Sequence, residues 1–116
     1  MRSFFSEEEV ARWHEVEAFV RARFGKKPDL KAILFLIGVQ ELGQGFRRFS
    51  KEEKQDLMHI AVCRILSRAG YYTLSGADKD GWPHWEPTEK LPRLNLFEQE
   101  GLLKYYVIRY FEEEIW

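Results

Sequence analysis

The spacing of apolar and polar residues predicts helices along most of the chain. In residues 7–24 the apolar residues recur every three or four positions, so one side of a helix would be apolar and the other polar. These apolar residues are Val10, Trp13, Val16, Val20 and Phe24. Ser6 with Glu9 forms a capping box before this segment and Gly25 is suited to end it, so we predict a helix over 7–24.

Residues 30–42, LKAILFLIGVQEL, are apolar on every side, which predicts a helix at the centre of the domain. A buried strand is the alternative, because a short apolar run does not by itself distinguish the two; the length favours a helix. Gly38, in the middle of this segment, costs a helix about 1 kcal/mol relative to Ala. Its presence therefore indicates a close approach by another backbone.

Ser50 and Glu53 form a second capping box, which begins a third predicted helix over 51–69. The predicted core face of this helix contains Leu57, Met58, Ala61, Val62, Ile65, Leu66 and Ala69. Because apolar residues again recur at helical spacing, we expect this helix to pack with one side.

A fourth helix, over 96–114, follows the capping pattern of Asn95 and Glu98 and is apolar on two sides. The first side contains Leu96, Leu103, Tyr106, Val107, Tyr110 and Phe111. Of these, Leu103, Val107 and Tyr110 are expected to suffice to dock the helix. The second side contains Phe97, Gly101, Tyr105, Ile108 and Ile115. In so short a chain this second strip has no obvious partner, so we predict a self-association surface, with packing inside one domain as the competing explanation.

Asp-Gly at 80–81 separates the stretches YYTLSGA and WPHWEPT, which predicts a β-hairpin with a two-residue turn. Such a turn would pair Gly76 with Trp85 and Leu74 with Pro87. One face would then contain Tyr72, Leu74, Trp85 and Pro87, and the other Tyr71, Thr73, Trp82 and His84. We therefore predict a mainly α (α+β) fold, with four helices and a β-hairpin inserted between helices 3 and 4.

Composition is typical of a folded protein, since 45% of the 116 residues are apolar and 16% are aromatic. We expect one helical domain over 1–116. The 18 basic and 19 acidic residues nearly cancel, so nothing draws the whole protein to nucleic acid or to an anionic membrane. The chain has a single cysteine, no signal-peptide pattern and no apolar run long enough to span a bilayer. We therefore expect a cytoplasmic protein without a membrane contact.

One flank of the third helix carries a set of side chains with metal-ligating chemistry. They are Glu52, Asp56, His59 and Cys63, which lie within one narrow sector of the helix at spacings of three or four residues. Carboxylate, imidazole and thiolate together suit Zn or Fe. The alternative that we favour is an ordinary helix flank, with His59 bonded to Asp56 and Cys63 buried as a small apolar residue, so we expect no cofactor.

Two further sets have the chemistry of a binding surface. One hairpin face contains Tyr71, Trp82 and His84, which could stack on a sugar, a base or a peptide side chain. The alternative is that these rings belong to the core, as most large aromatic residues of a small domain do. Arg47, Arg48 and Lys51 precede or begin the third helix, where backbone N–H groups favour an anion. A solvated loop is the more common explanation for such a basic segment.

Over residues 30 to 88 the chain resembles a group of small bacterial proteins. The stretches that carry the resemblance are LFLIGVQELG, KEEKQDLMHIAVC, GYYTL and DGWPHWE. The resemblance implies a compact bacterial cytosolic domain, and it assigns no activity, ligand or site residue.

These patterns favour a non-enzymatic interaction or structural protein, and we expect it to form a homodimer through the fourth helix or to bind a protein partner. A nucleic-acid-binding module with a winged-helix-like arrangement is one alternative. It is opposed by the long connection between helices 2 and 3 and by the acidic hairpin tip at 78–80. A metal-dependent enzyme that uses the flank of the third helix is the other.

Overall fold

Residues 6–116, the part of the chain that the computed structural model describes, form four α-helices and one β-hairpin. The elements are α1 (Glu7–Phe24), α2 (Leu30–Leu42), α3 (Lys51–Leu66) with a 3₁₀ turn (Ser67–Ala69), β1 (Tyr72–Ala77), β2 (Pro83–Pro87), and α4 (Leu96–Tyr110) with a π-helical turn (Phe111–Ile115). The hairpin lies between the third and fourth helices, which confirms the predicted mainly α (α+β) fold.

Internal contacts divide the chain into two units. Among the described residues, the first consists of 6–30 with 93–116, and thus contains α1 and α4; the second consists of residues 31–92, and contains most of α2 with α3 and the hairpin. The expectation of one domain over 1–116 stays a prediction.

In the first unit, α1 begins where Ser6 Oγ accepts the Glu9 N–H and ends at Gly25, whose φ of +77° places it in the left-handed region. Trp13, Val16 and Val20 are buried as predicted. Val10 and Phe24, expected on the same packed side, are instead exposed, because they lie near the two ends of the helix.

Arg109 joins the helices of the first unit. Its guanidinium donates to Glu9 on α1 and to Glu112 in the π-helical turn, each at 2.6 Å. The rings of Phe19 and Phe111 meet edge to face, with centroids 5.7 Å apart. α4 therefore contacts α1 through an ion-pair network, and the π-helical turn that follows α4 contacts α1 through aromatic packing.

The second unit is built on a close contact between α2 and α3. A Cβ added to Gly38 of α2 would lie 2.6 Å from the backbone carbonyl carbon of Leu57 on α3. The structure thus confirms the predicted close approach and also the helical, rather than extended, state of residues 30–42. Beside this contact lies a core cluster of Val39, Leu42, Phe49 and Leu57, against which Phe35 and Trp82 pack.

The buried side of α3 differs from the predicted core face. Ile60 and Cys63 are buried, whereas Met58 and Val62 are only half-buried. The buried side is rotated because the hairpin packs against α3, with the ring of Tyr72 6.4 Å from that of His59.

The predicted hairpin register is wrong by two residues at the base of the hairpin. Tyr72 pairs with Pro87 and Leu74 with Trp85, after which an irregularity between Leu74 and Gly76 shifts the pairing so that Gly76 lies opposite His84. The turn is also longer than the predicted two residues, since residues 78–82 connect the two strands. Of the Asp-Gly pair, only Gly81 adopts the positive φ that a two-residue turn requires of both. The shared face of Tyr72, Leu74, Trp85 and Pro87 is nevertheless confirmed, since directly paired residues lie on the same face of a sheet.

Candidate functional site

The second unit contains an open cleft of about 290 Å³ between α3 and the hairpin. Its lining residues are Asp56, His59, Ile60, Asp78, Trp82, Pro83, His84 and Trp85. Two of them, Asp56 and His59, come from the set predicted as metal ligands, and two others, Trp82 and His84, from the set predicted as a ligand surface. The fold thus brings together members of two sets, and the nearest of these four in sequence, His59 and Trp82, are 23 positions apart.

The helical wall of the cleft presents one turn of α3. Asp56, His59 and Ile60 are neighbours on the helix surface because they are three or four residues apart. The first two side chains are exposed, and Ile60 is buried beneath them. His59 Nε2 lies 3.5 Å from Cys63 Sγ one turn further along the helix.

The hairpin wall is held in place by the side chain of Asp78. Its Oδ1 accepts the backbone N–H groups of Asp80, at 2.9 Å, and of Trp82, at 3.0 Å. Its Oδ2 lies 3.3 Å from Nε2 of His84. The hydrogen bond from the Trp82 backbone, together with those from His84 and Asp80, lowers the pKa of the Asp78 carboxyl, so this group is a carboxylate that fixes the turn.

Two half-buried indoles contribute the aromatic part of the cleft. Trp82 packs against the core cluster defined above, so it belongs partly to the core and partly to the cleft. Trp85 has a buried indole N–H that donates to no acceptor among the described residues. Because a buried N–H without an acceptor is costly, this group is a locally destabilising feature of the hairpin.

The four predicted metal-ligating residues do not form a ligand set. Burial raises the pKa of the Cys63 thiol to about 11, so the thiol is neutral near pH 7, whereas a metal binds the thiolate. Glu52, Asp56 and His59 are exposed, while Cys63 is fully buried. Within residues 6–116, no group of three or more His, Cys, Asp or Glu side chains is placed to hold a metal ion.

The predicted anion site contains a carboxylate of its own. Glu53 Oε1 accepts the backbone N–H of Ser50 at 2.8 Å, and Glu53 Oε2 lies 3.3 Å from Arg47. Arg47 also stacks on Phe49, with its guanidinium 4.3 Å from the ring centroid. Arg48 and Lys51 are exposed beside this arrangement. Glu53 therefore occupies the position at the start of α3 that an external anion would take.

The second strip of α4 is not continuous on the surface. Ile108 is fully buried, so its assignment to a self-association surface is wrong: this position belongs to the core. Gly101, Tyr105 and Ile115 are half-buried, and the ring of Tyr105 lies 4.6 Å from the Arg109 guanidinium. Phe97 is 49% exposed, and it is the one member of the strip that is largely accessible.

Sequence reasoning missed half of the cleft. It included neither Trp85 nor Asp78 in a candidate site, and Tyr71 of the predicted ligand surface is half-buried but does not line the cleft. A signal for Asp78 was present in the order Asp-Lys-Asp-Gly, because an Asp that begins a turn commonly accepts backbone N–H groups two or more residues later. No comparable signal shows that α3 and the hairpin lie together.

A second recess, of about 500 Å³, lies in the first unit and is lined by Arg12, Glu15, Glu112 and Trp116. Arg12 lies 3.1 Å from Glu15 and 3.4 Å from Glu112, so its charge is compensated by two carboxylates. This recess therefore offers a ligand fewer uncompensated groups than the cleft of the second unit.

Comparison with known proteins gives no relative from which a function can be transferred: no family model, curated protein or solved structure matches the chain. Among the helices of residues 6–116, none has the length and apolar character that crossing a bilayer requires.

Proposed function

We propose that the protein is a non-enzymatic interaction protein that holds part of a partner in the cleft between α3 and the hairpin. The observation that carries the proposal is the concave placement of Trp82 and Trp85 beside ionisable groups. Half-buried tryptophans in a recess have the properties of binding hot spots, since they offer a large apolar area at low cost in conformational entropy.

The chemistry of the lining residues favours binding over catalysis. None of the eight carries a hydroxyl or a thiol, and the nearby Cys63 thiol is neutral because of its burial. Of the two imidazoles, His84 is engaged with Asp78, which already fixes the turn. This arrangement supports an interaction protein rather than the alternative of a metal-dependent enzyme.

The charge of the cleft opposes the nucleic-acid alternative. Asp56 and Asp78 line it, and neither lysine nor arginine does. Phosphate groups would be repelled there, because both carboxylates carry the same sign of charge as the nucleic-acid backbone.

Self-association remains a second candidate, now restricted to the beginning of α4. Leu96 is 84% exposed and the adjacent Phe97 is 49% exposed, so two large apolar side chains lie side by side at the surface. If they join two copies, Phe97→Glu gives a monomer where the parent protein is a dimer in light scattering. A parent protein that is already monomeric at high concentration would remove this candidate.

The cleft itself is tested by ¹H–¹⁵N NMR of the full chain with a panel of small cationic, anionic and neutral aromatic fragments. We expect at least one class to shift the indole N–H signals of Trp82 and Trp85, identified through Trp→Phe variants, and to leave those of Trp13 and Trp116 in place. His84→Gln should weaken this binding because it changes the wall of the cleft.

The matched control is His14→Gln in the first unit. His14 lies 3.2 Å from Glu17 much as His84 lies 3.3 Å from Asp78, and both histidines are largely exposed. A panel in which every fragment leaves the Trp82 and Trp85 signals unchanged would refute the proposed function.

A further inference from the structure

The charge that lines the cleft is negative and incompletely compensated. Asp56 has Glu52, Glu53, His59 and Ile60 as its neighbours at helical spacing, so no basic residue of α3 lies within reach of an i,i+4 ion pair. Its carboxylate forms no hydrogen bond or ion pair with the described residues. Asp56 is therefore an exposed anion at the edge of a recess that contains no lysine or arginine.

Asp78 adds a second negative charge on the opposite wall. Its backbone hydrogen bonds hold it as a carboxylate, and its one side-chain partner, His84, belongs to the same hairpin. The two walls of the cleft thus each carry a carboxylate, which favours an occupant of positive charge.

The indoles favour the same class of occupant. A guanidinium or an ammonium group is attracted to the face of a tryptophan ring, and more strongly where part of the water is excluded. Trp82 and Trp85 line the cleft together with the carboxylates, which is the combination that an arginine or lysine side chain can satisfy at once.

Arginine and lysine side chains of a partner protein carry such a cation. Their aliphatic stems can also lie along the indole rings that line the cleft.

We infer that the cleft recognises a basic segment of a partner protein, with an arginine or lysine side chain at Asp56 and the indole rings. This inference rests on the proposed function and names the class of partner. It places the specificity of the cleft in charge, supplied by Asp56, and its affinity in the two tryptophans.

The experiment uses four short peptides that differ at one position: acetyl-Gly-Arg-Gly-amide and its Lys, Leu and Glu counterparts. Each is titrated into the ¹⁵N-labelled full chain at low salt while the indole N–H signals are followed. The Arg and Lys peptides should shift the Trp85 and Trp82 signals, and the Leu and Glu peptides should bind at least about tenfold more weakly, as expected for the loss of one or two charge-assisted contacts.

Asp56→Asn should weaken the Arg peptide by about tenfold, because the same charge-assisted contact is lost. The control is Asp80→Asn, which removes the same charge from an exposed position of the hairpin that does not line the cleft. A second variant, Asp56→Glu, retains the charge and should retain most of the binding.

The outcomes separate this inference from the proposed function. Equal or tighter binding of the Leu or Glu peptide at the same indole signals would overturn the inference while leaving the cleft as a binding site. Loss of Arg-peptide binding in both Asp56→Asn and Asp80→Asn would also overturn it, since only the overall charge of the protein would then matter. If none of the peptides or fragments shifts the two indole N–H signals, both proposals are refuted.

Discussion

Replacing Gly38 by alanine should destabilise the second unit, although alanine is the better helix former. A Cβ at this position would lie 2.6 Å from the carbonyl carbon and 2.9 Å from the Cβ of Leu57. Carbon atoms in favourable contact are about 3.5–4.0 Å apart, so α2 and α3 would have to separate by about 1 Å. The atoms of Leu57 that are met first belong to the backbone, and they cannot turn aside as a flexible side chain would.

The expected magnitude follows from two opposing effects. Overpacking in a core costs about 1–3 kcal/mol, and a backbone clash belongs near the upper end of that range. Alanine in place of glycine inside a helix stabilises the helix by about 1 kcal/mol. The net loss in the free energy of unfolding is therefore about 2 kcal/mol, which lowers the melting temperature by several degrees for a chain of this length.

Urea denaturation followed by circular dichroism measures this change. Gln40→Ala is the control, because Gln40 is exposed on the same helix and its replacement should change the stability by less than about 0.5 kcal/mol. Gly38→Ser should cost at least as much as Gly38→Ala, since its side chain is larger. If Gly38→Ala were about 1 kcal/mol more stable than the parent, the helix-propensity term alone would account for it and the close approach of α2 and α3 would be refuted.

Three other predictions test particular contacts. Stability should fall by about 2 kcal/mol as pH rises from 9 to 11, because the unfolded thiol of Cys63 ionises over this range while the buried thiol, whose pKa is raised to about 11, stays largely protonated until pH 11 is reached. Cys63→Ala should lack this part of the decline in urea melts at the two pH values. Arg109→Met leaves a poorly exposed Glu9 carboxylate without its ion pair, so it should lower the free energy of unfolding by about 1–3 kcal/mol. Arg12→Met, at a more exposed pair, should lower it by less than about 1 kcal/mol. Equal losses would contradict the assignment of Arg109 as the joining residue. Trp82→Phe should lower the melting temperature more than Trp85→Phe. Trp82 packs on the core cluster, whereas Trp85→Phe removes a buried N–H that has no acceptor. The reverse order would show that Trp85 is the more important core residue.

The helices could be predicted from the sequence because their signals are local. Capping boxes at Ser50 and Asn95 satisfy the first backbone N–H groups of α3 and α4, and the glycine at position 25 ends α1 in the left-handed conformation that it adopts most readily. Gly38 likewise indicated a helix contact, since a glycine inside a helix has a cost that only a close neighbour explains.

The hairpin was predicted in place but not in register, and the reason is again local. Asp-Gly at 80–81 suggested a two-residue turn, whereas Asp78 accepts hydrogen bonds from the backbone of Asp80 and Trp82 and thereby extends the turn to begin at Asp78. The irregularity after Leu74 then shifts the pairing at the tip. Because two competing turn patterns overlap here, the sequence alone does not select between them.

The cleft and the burial of individual residues were decided by tertiary structure. The sequence shows that Asp56 and His59 share a helix face and that Trp82 and His84 belong to one hairpin, but no periodic pattern tells which face of α3 the hairpin covers. That packing rotates the buried side of α3 toward Ile60 and Cys63. Likewise, the apolar pattern of α4 is the same whether Ile108 meets solvent, a second copy or its own core, and only the fold buries it. Local hydrogen bonding and periodicity thus determine the elements, while the site depends on contacts between residues far apart in sequence, which no local pattern encodes.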